Sequence, residues 1–339
     1  MRGCRGERGL PAGFRVLPAA LLTAAARRRR AKGFYDRRTL ALFRRAWLRA
    51  RSASALMDYL LFRRDLGFAL APRWLAPLRE RLPGLRGRYR RLALGLMAEI
   101  GADPAGGNDF SEDPGVIGLH ALQDQLRDAF AAVLRRQRED GICVVGNAGS
   151  LVGLRLGATI DQHGLVVRFN RFRGADSEPA DIGSRLDVWV VAPDFEGPPP
   201  QGVRWIVVSG PEMRFRRHNW ESLRPALDAG AVLLTVPLAP WRGLVATLQA
   251  PPSAGLLFLA WLRSLLGSWD GVRAVGFGAG ATPGAVYHHA DPRHKAVGRH
   301  QWAGERLVLQ AWHDEGLRTG AGRWIRSNES RLSLPPTGN

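Results

Sequence analysis

The sequence predicts an α/β protein with a Rossmann-like core and a basic helical segment at its N-terminus. Three observations predict it. Short, almost wholly apolar runs recur between residues 142 and 277 with helical stretches between them. That is the pattern of a parallel sheet covered on both faces. The first run ends in a glycine-rich turn, Gly146-Asn147-Ala148-Gly149, where a helix is expected to open. Charge is also segregated: residues 1–100 hold 24 Arg and Lys against 6 Asp and Glu, whereas the remainder holds 25 against 24.

Along the chain, the apolar run Val16 to Ala26 follows Arg2, Arg5, Arg8 and Arg15 and has the look of a signal-peptide core. A span needs about twenty such residues. Arg27 to Arg30 follow at once and favour retention on the cytoplasmic side. Residues 33–100 set Phe43, Trp47, Leu48, Tyr59, Leu60, Leu61 and Phe62 among arginine pairs, which predicts basic amphipathic helices. Two accounts fit them equally: a solvated helical hairpin packed on the main domain, or a helix lying on an anionic membrane surface. Residues 101–115, rich in Gly, Pro, Asp and Asn, read as a linker into a domain spanning 116–330. A helix is expected from about Leu119 to Arg138. Strands are expected at Ile142–Val145, Leu165–Arg168, Leu186–Val191, Arg204–Val208, Val232–Val236 and Val272–Phe277. Further helices are expected near Trp220–Asp228, Ala254–Leu266 and Trp302–Glu315. Residues 196–202 read as a surface connection.

The near-neutral balance beyond residue 100 argues against a nucleic-acid interface on the main domain. Lys32 and Lys295 are the two lysines of the chain, so its positive charge is almost all arginine. Cys4 and Cys143 make no disulfide framework, which leans toward a reducing, cytoplasmic setting.

The stretch 143–153 alone leaves two readings open, a structural turn and an anion cradle. Its spacing is not G-x-G-x-x-G. It continues into Ile160-Asp161, then Arg168-Phe169-Asn170, then Asp181-Ile182-Gly183-Ser184-Arg185-Leu186-Asp187. This ordered pattern resembles the large sialylmotif of the sialyltransferases, glycosyltransferase family 29. Downstream, residues 251–278 resemble the small sialylmotif, with Pro252-Ser253-Ala254-Gly255 opening a helix and a strand ending in Gly276-Phe277-Gly278. His288-His289-Ala290-Asp291 is similar to the third motif, and His300 with Glu305 fits the H-x-x-x-x-E of the last. The resemblance covers roughly residues 140–310.

It implies a variant of the GT-A glycosyltransferase architecture. The implied activity is inverting transfer of sialic acid, or a related nonulosonic acid, from its CMP-activated donor to a glycan hydroxyl, with no cofactor or metal. In this scheme His300 is the general base, His288 the partner of the leaving phosphate, and Glu305 the acidic member of the last motif. Asn147, Ser150, Asn170, Ser253, Ala254, Gly255, Gly276 and Gly278 hold the donor. The resemblance also implies a bacterial-type member without the membrane anchor of animal relatives. The family pairs its large-motif cysteine with one in the small motif; here Trp269 stands at the partner position, so Cys143 has no mate. Ala254 replaces a common hydroxyl residue, removing one donor contact.

The residue types suit that chemistry. A glycan hydroxyl is a poor nucleophile until a base takes its proton, and a departing phosphate can be stabilised by a histidine and backbone N–H groups. His300 precedes the helix expected near Trp302, whose positive dipole end favours the neutral imidazole. Other readings stand beside these. His288, His289, His294 and His300 with Asp291 could form a zinc site. Asn147 and Asn170 could be turn residues, and Asp181, Asp187 and Arg185 a structural ion-pair group. Ser253 could be a plain helix cap. Another nucleotide-dependent transferase, such as a methyltransferase, or a membrane- or polyanion-binding protein with a degenerate core are the rival functions. Because the resemblance starts near residue 140, the first hundred residues are expected to be dispensable for transfer.

Overall fold

The computed structural model describes residues 17–99, 122–173, 178–193, 195, 197–210, 221–277, 288–290 and 298–320. The linker expected at 101–115 and the arginines before residue 16 lie outside them. The helices are α1 (Ala19–Ala31), α2 (Arg37–Ala50), α3 (Ala53–Asp65), α4 (Leu75–Arg81), α5 (Gly87–Glu99), α6 (Gln123–Gln137), α7 (Gly157–Asp161), α8 (Pro179–Ile182), α9 (Arg224–Asp228), α10 (Leu238–Leu248), α11 (Ala254–Leu266) and α12 (Trp302–Asp314). The strands are β1 (Ile142–Val145), β2 (Leu165–Phe169), β3 (Val188–Val191), β4 (Trp205–Val208), β5 (Val232–Thr235), β6 (Val272–Val275) and β7 (Arg318–Thr319).

All seven strands run parallel, in the order β5-β4-β3-β2-β1-β6-β7. Parallel neighbours need crossovers; helical segments lie in all of them except the β3–β4 connection, which has no helix among its described residues. Both faces of β1 to β6 are buried, so these strands read as mostly apolar runs, interrupted by Arg168 in β2 and Arg273 in β6. Alternation shows in the packing instead. Ile142 and Val144 join one core and Cys143 and Val145 another; Val188 and Val190 likewise separate from Trp189 and Val191. The chain steps from β1 outward to β5, then returns to the other side of β1 for β6. Where the order reverses, the loops leaving two adjacent carboxyl ends part, and a crevice for ligands forms there. The register Val145↔Val275 sets the turns after β1 and β6 side by side.

The strands expected from the sequence all form, shortened by up to two residues at some ends and, at β2, one residue longer. Helix α10 was not expected: Pro240 and Gly243 within it weaken its pattern. Pro240 is tolerated because the first turn lacks intrahelical acceptors for its N–H groups.

Helices α1 to α5 are built into the molecule. Leu22, Phe43, Leu56, Met57 and Phe62 belong to the same core as Ile142, Val144, Trp241 and Phe258. The Trp241 indole N–H donates to the Asp65 carbonyl at 2.7 Å, and Tyr35 N–H donates to the Gln249 carbonyl at 2.9 Å. This corrects the lipid-facing reading of the aromatics. Phe62 is fully buried and meets Phe43 at 5.1 Å, while Trp47 stacks on Tyr59 at 5.7 Å and meets Trp74 edge-on. Several arginines also turn inward. Arg30 pairs with buried Asp65 at 2.7 Å, and Arg27 pairs with Asp58, which also accepts from the Tyr89 hydroxyl. Among the described residues, no helix is long and apolar enough to cross a membrane.

Candidate active site at the strand-order reversal

The turns after β1 and β6 meet backbone to backbone. Gly146 N–H donates to Val275 and Ala148 N–H to Gly276, at 2.8 and 3.1 Å. A Cβ on Gly146 would lie 2.3 Å from the Gly276 carbonyl oxygen, and one on Gly276, at φ +72°, 2.6 Å from that of Gly146. Both glycines are thus required by close approach. The glycine turn is a joint between two strands first, and its remaining N–H groups are what a ligand could use.

Asn147 ties this joint to its neighbours. Its Nδ2 donates to the carbonyls of Phe169 and Arg171 at 3.0 and 3.2 Å, and its own carbonyl accepts from His289 N–H at 3.0 Å. The loops after β1 and β2 and the histidine pair are therefore held by one residue. Asn170 is left-handed at φ +44°, a conformation asparagine tolerates. Its Oδ1 accepts from Ala192 N–H at 2.8 Å, and its amide nitrogen, which bonds no described residue, is the part left for a ligand. Ser150 is exposed in the short turn at 149–151.

The remaining large-motif residues are clamps. Asp161 accepts from the backbone N–H of Ser184 and Arg185. Asp181 accepts from those of Gly153 and Arg155 at 2.7 and 2.8 Å, which hold its carboxyl below the usual range. Arg185 pairs with Asp187 at 2.9 Å. Arg168 is fully buried, donating to the carbonyls of Arg185 and Ile182, and burial lowers it to about 10.

On the other side of the crevice, Ser253 caps α11, its hydroxyl accepting from Leu256 N–H. The same hydroxyl and the Ser253 N–H each donate to Glu305 at 2.7 Å. Glu305 is 4% exposed, and burial raises its carboxyl above the ordinary range against the pull of both Ser253 donors. This clasp occupies two residues that the resemblance assigns to donor and catalysis. His300 joins the same region: its Nδ1 lies 2.8 Å from the Pro251 carbonyl, and its ring meets Trp302 edge-on at 5.2 Å. A carbonyl only accepts, so Nδ1 carries the proton and neutral His300 presents a lone pair at Nε2. Burial, rather than the helix end, is the main cause that keeps His300 below its ordinary pKa.

Phe277 joins the two sides and was missed from sequence. A Cβ on Gly255 would fall 2.6 Å from its ring, and one on Gly146 would fall 3.4 Å from it. The ring thus bridges the β1 turn and the start of α11, and it meets Phe169 edge-on at 6.1 Å. Ala254 and Gly255 supply first-turn N–H groups of α11. His288 is half-buried, 5.9 Å from the ring of His289. His289 is fully buried, and burial together with Arg168 pushes it down to about 4. Gly278, Asp291 and His294 lie outside the described residues. Among the described residues no three of His, Cys, Asp and Glu are grouped to hold a metal ion. Cys143 is a buried free thiol, pushed up to about 12 by burial, and Trp269 packs on Trp312 at 5.3 Å.

Residues 122–196, from α6 through the large-motif pattern, match the family model of glycosyltransferase family 29 (sialyltransferase). That segment is similar to the sialyltransferase family. It contains Asn147, Ser150 and Asn170, while the motifs from Ser253 to Glu305 lie beyond it. A crystal structure of a mammalian sialyltransferase in complex with Gal-beta-1-3GalNAc-ortho-nitrophenol is 23% identical over 54% of this chain and 69% of that chain, at a TM-score of 0.42. A second mammalian sialyltransferase structure gives the same identity and coverage at 0.41. No curated protein sequence matches the chain.

Proposed function

We propose that the protein transfers a sialic acid, or a related nonulosonic acid, from its CMP-activated donor to a glycan hydroxyl, with inversion and without a metal. The family segment supports the donor class. The observation that carries the mechanism is the His300 Nδ1 bond to the Pro251 carbonyl, which fixes the tautomer whose Nε2 accepts a proton.

In this scheme the acceptor hydroxyl gives its proton to Nε2 of His300. Its oxygen bonds to the anomeric carbon as the bond from that carbon to the phosphate oxygen breaks, through an oxocarbenium-like state. CMP leaves with the electron pair. His288 and the N–H groups at the start of α11 offset the charge on its phosphate. Asn147, Ser150, Asn170, Ala254, Gly255, Gly276 and Gly278 hold the donor. Ser253 contributes through the helix it caps, and Glu305 acts as a positioning residue.

The test is a CMP-release and transfer assay with a CMP-activated nonulosonic acid and simple galactosides. His300→Ala should bind CMP as before and lose transfer by about a hundredfold or more. The unchanged protein should gain activity as pH rises through a value below about 6.5, because the base must be neutral. EDTA should leave the rate unchanged. Transfer near the unaltered rate by His300→Ala would remove that residue from the role, and loss in EDTA restored by a divalent ion would remove the metal-free chemistry.

A further inference from the structure

The outer surface of the N-terminal helices is cationic in a way the core packing does not explain. Helix α1 contains four arginines, of which Arg27, Arg29 and Arg30 pair with Asp58, Asp36 and Asp65; α2 contains five, and neither helix contains an acidic residue. The two form an antiparallel hairpin. At one end Arg29 bonds Asp36 and Thr39 across the connection; at the other Arg49 donates to the Leu17 carbonyl. The buried side chains Leu22 and Ala26 of α1, and Leu42, Phe43 and Ala46 of α2, face one core.

The exposed positions follow helical spacing on the opposite side. On α1 they are Ala20, Leu21, Ala24, Arg28 and Ala31, with Arg27 exposed at the edge where it reaches Asp58; on α2 they are Arg37, Arg38, Arg44, Leu48 and Arg49. Exposed Lys32 and Phe34 continue the surface through the connection. Charge therefore does not stand alone there. Leu21, Phe34 and Leu48 are 53%, 45% and 37% exposed among these cations, with the Arg29 guanidinium 4.6 Å over the Phe34 ring.

We propose that the outer face of the α1–α2 hairpin docks on an anionic lipid bilayer. Arginine and lysine meet lipid phosphates, and the three exposed apolar side chains enter the boundary between headgroups and acyl chains. A soluble polyanion would match the charge but leave the exposed leucines and phenylalanine without a role. The docking does not use the aromatics of the helices' inner side, which are spent on the core. It is also independent of the transfer chemistry.

The experiment is co-sedimentation of the full chain with vesicles of phosphatidylcholine and phosphatidylglycerol, against phosphatidylcholine alone, across a salt series. Binding should require the anionic lipid and weaken as salt screens it. Each cation near the surface is worth about fivefold in partitioning, so Arg28→Gln/Arg37→Gln/Arg44→Gln should weaken binding by about a hundredfold. Circular dichroism and the melting curve should remain those of the unaltered chain. Leu21→Ser/Leu48→Ser should weaken what binding survives at high salt. Equal binding by the triple variant would overturn the assignment, as would capture by heparin with no binding to the anionic vesicles.

Discussion

Replacing His289 with glutamine removes one titrating group from the floor of the site while leaving its backbone bond to Asn147 in place. In the folded protein burial beside Arg168 holds His289 at about 4. In the unfolded chain it returns to about 6.5. Between those values the unfolded state takes up a proton that the folded state refuses, so stability falls as pH falls. The slope is about 1.4 kcal/mol per pH unit. Over a gap of about 2.5 units this reaches about 3 kcal/mol, a large share of the 5–15 kcal/mol typical of a domain. Below pH 4 the folded state also binds the proton and this loss levels off. Urea unfolding at pH 7, 6, 5 and 4.5 on both proteins measures it. His163 and His300, also lowered by burial, remain in both proteins, so the difference between the two isolates His289. The unaltered protein should lose most of those 3 kcal/mol relative to His289→Gln on acidification. Parallel stability curves would show that His289 is solvated and that Arg168 does not bear on it.

Other outcomes follow from the same packing. Gly33 stands at φ +83° with its absent Cβ 2.2 Å from the Arg299 carbonyl oxygen, next to His300; Gly33→Ala should lower kcat by about tenfold or more while KM for the donor changes less. An unchanged kcat would show that the N-terminal helices do not brace His300. Ser253→Ala removes a helix cap and one of two donors to buried Glu305, so it should cost about 2 kcal/mol in urea unfolding with CMP affinity nearly unchanged. A large loss of CMP affinity at unaltered stability would return Ser253 to the donor itself. A chain beginning near Asp113 lacks Leu22, Phe43 and Phe62 and uncovers Trp241, Leu244 and Val245, so it should aggregate on size-exclusion chromatography. A soluble, active fragment would restore the dispensability expected from sequence.

What the sequence determines by itself are the features written in neighbouring residues. Six strands are legible because burial on both faces makes each a mostly apolar run, such as Ile142–Val145 or Trp205–Val208. Helix α11 is legible from Ser253 to Gly267 because its cap, apolar pattern and left-handed terminator all lie in one stretch. The ordered motifs likewise mark which residues belong near the crevice. The two-residue strand β7 carries no pattern, and α10 hides behind a proline and a glycine. Tertiary structure alone decides how separated groups are used. Ser253 and Glu305 are 52 positions apart, and their clasp is set by how α11 meets α12. Adjacent His288 and His289 differ in burial because one turns into the molecule beside Arg168. The arginines of α1 divide in the same way: Arg30 faces buried Asp65 and Arg28 faces solvent. Composition counts such charges equally, but the free energy of each depends on which neighbours the fold brings against it and on how much water remains.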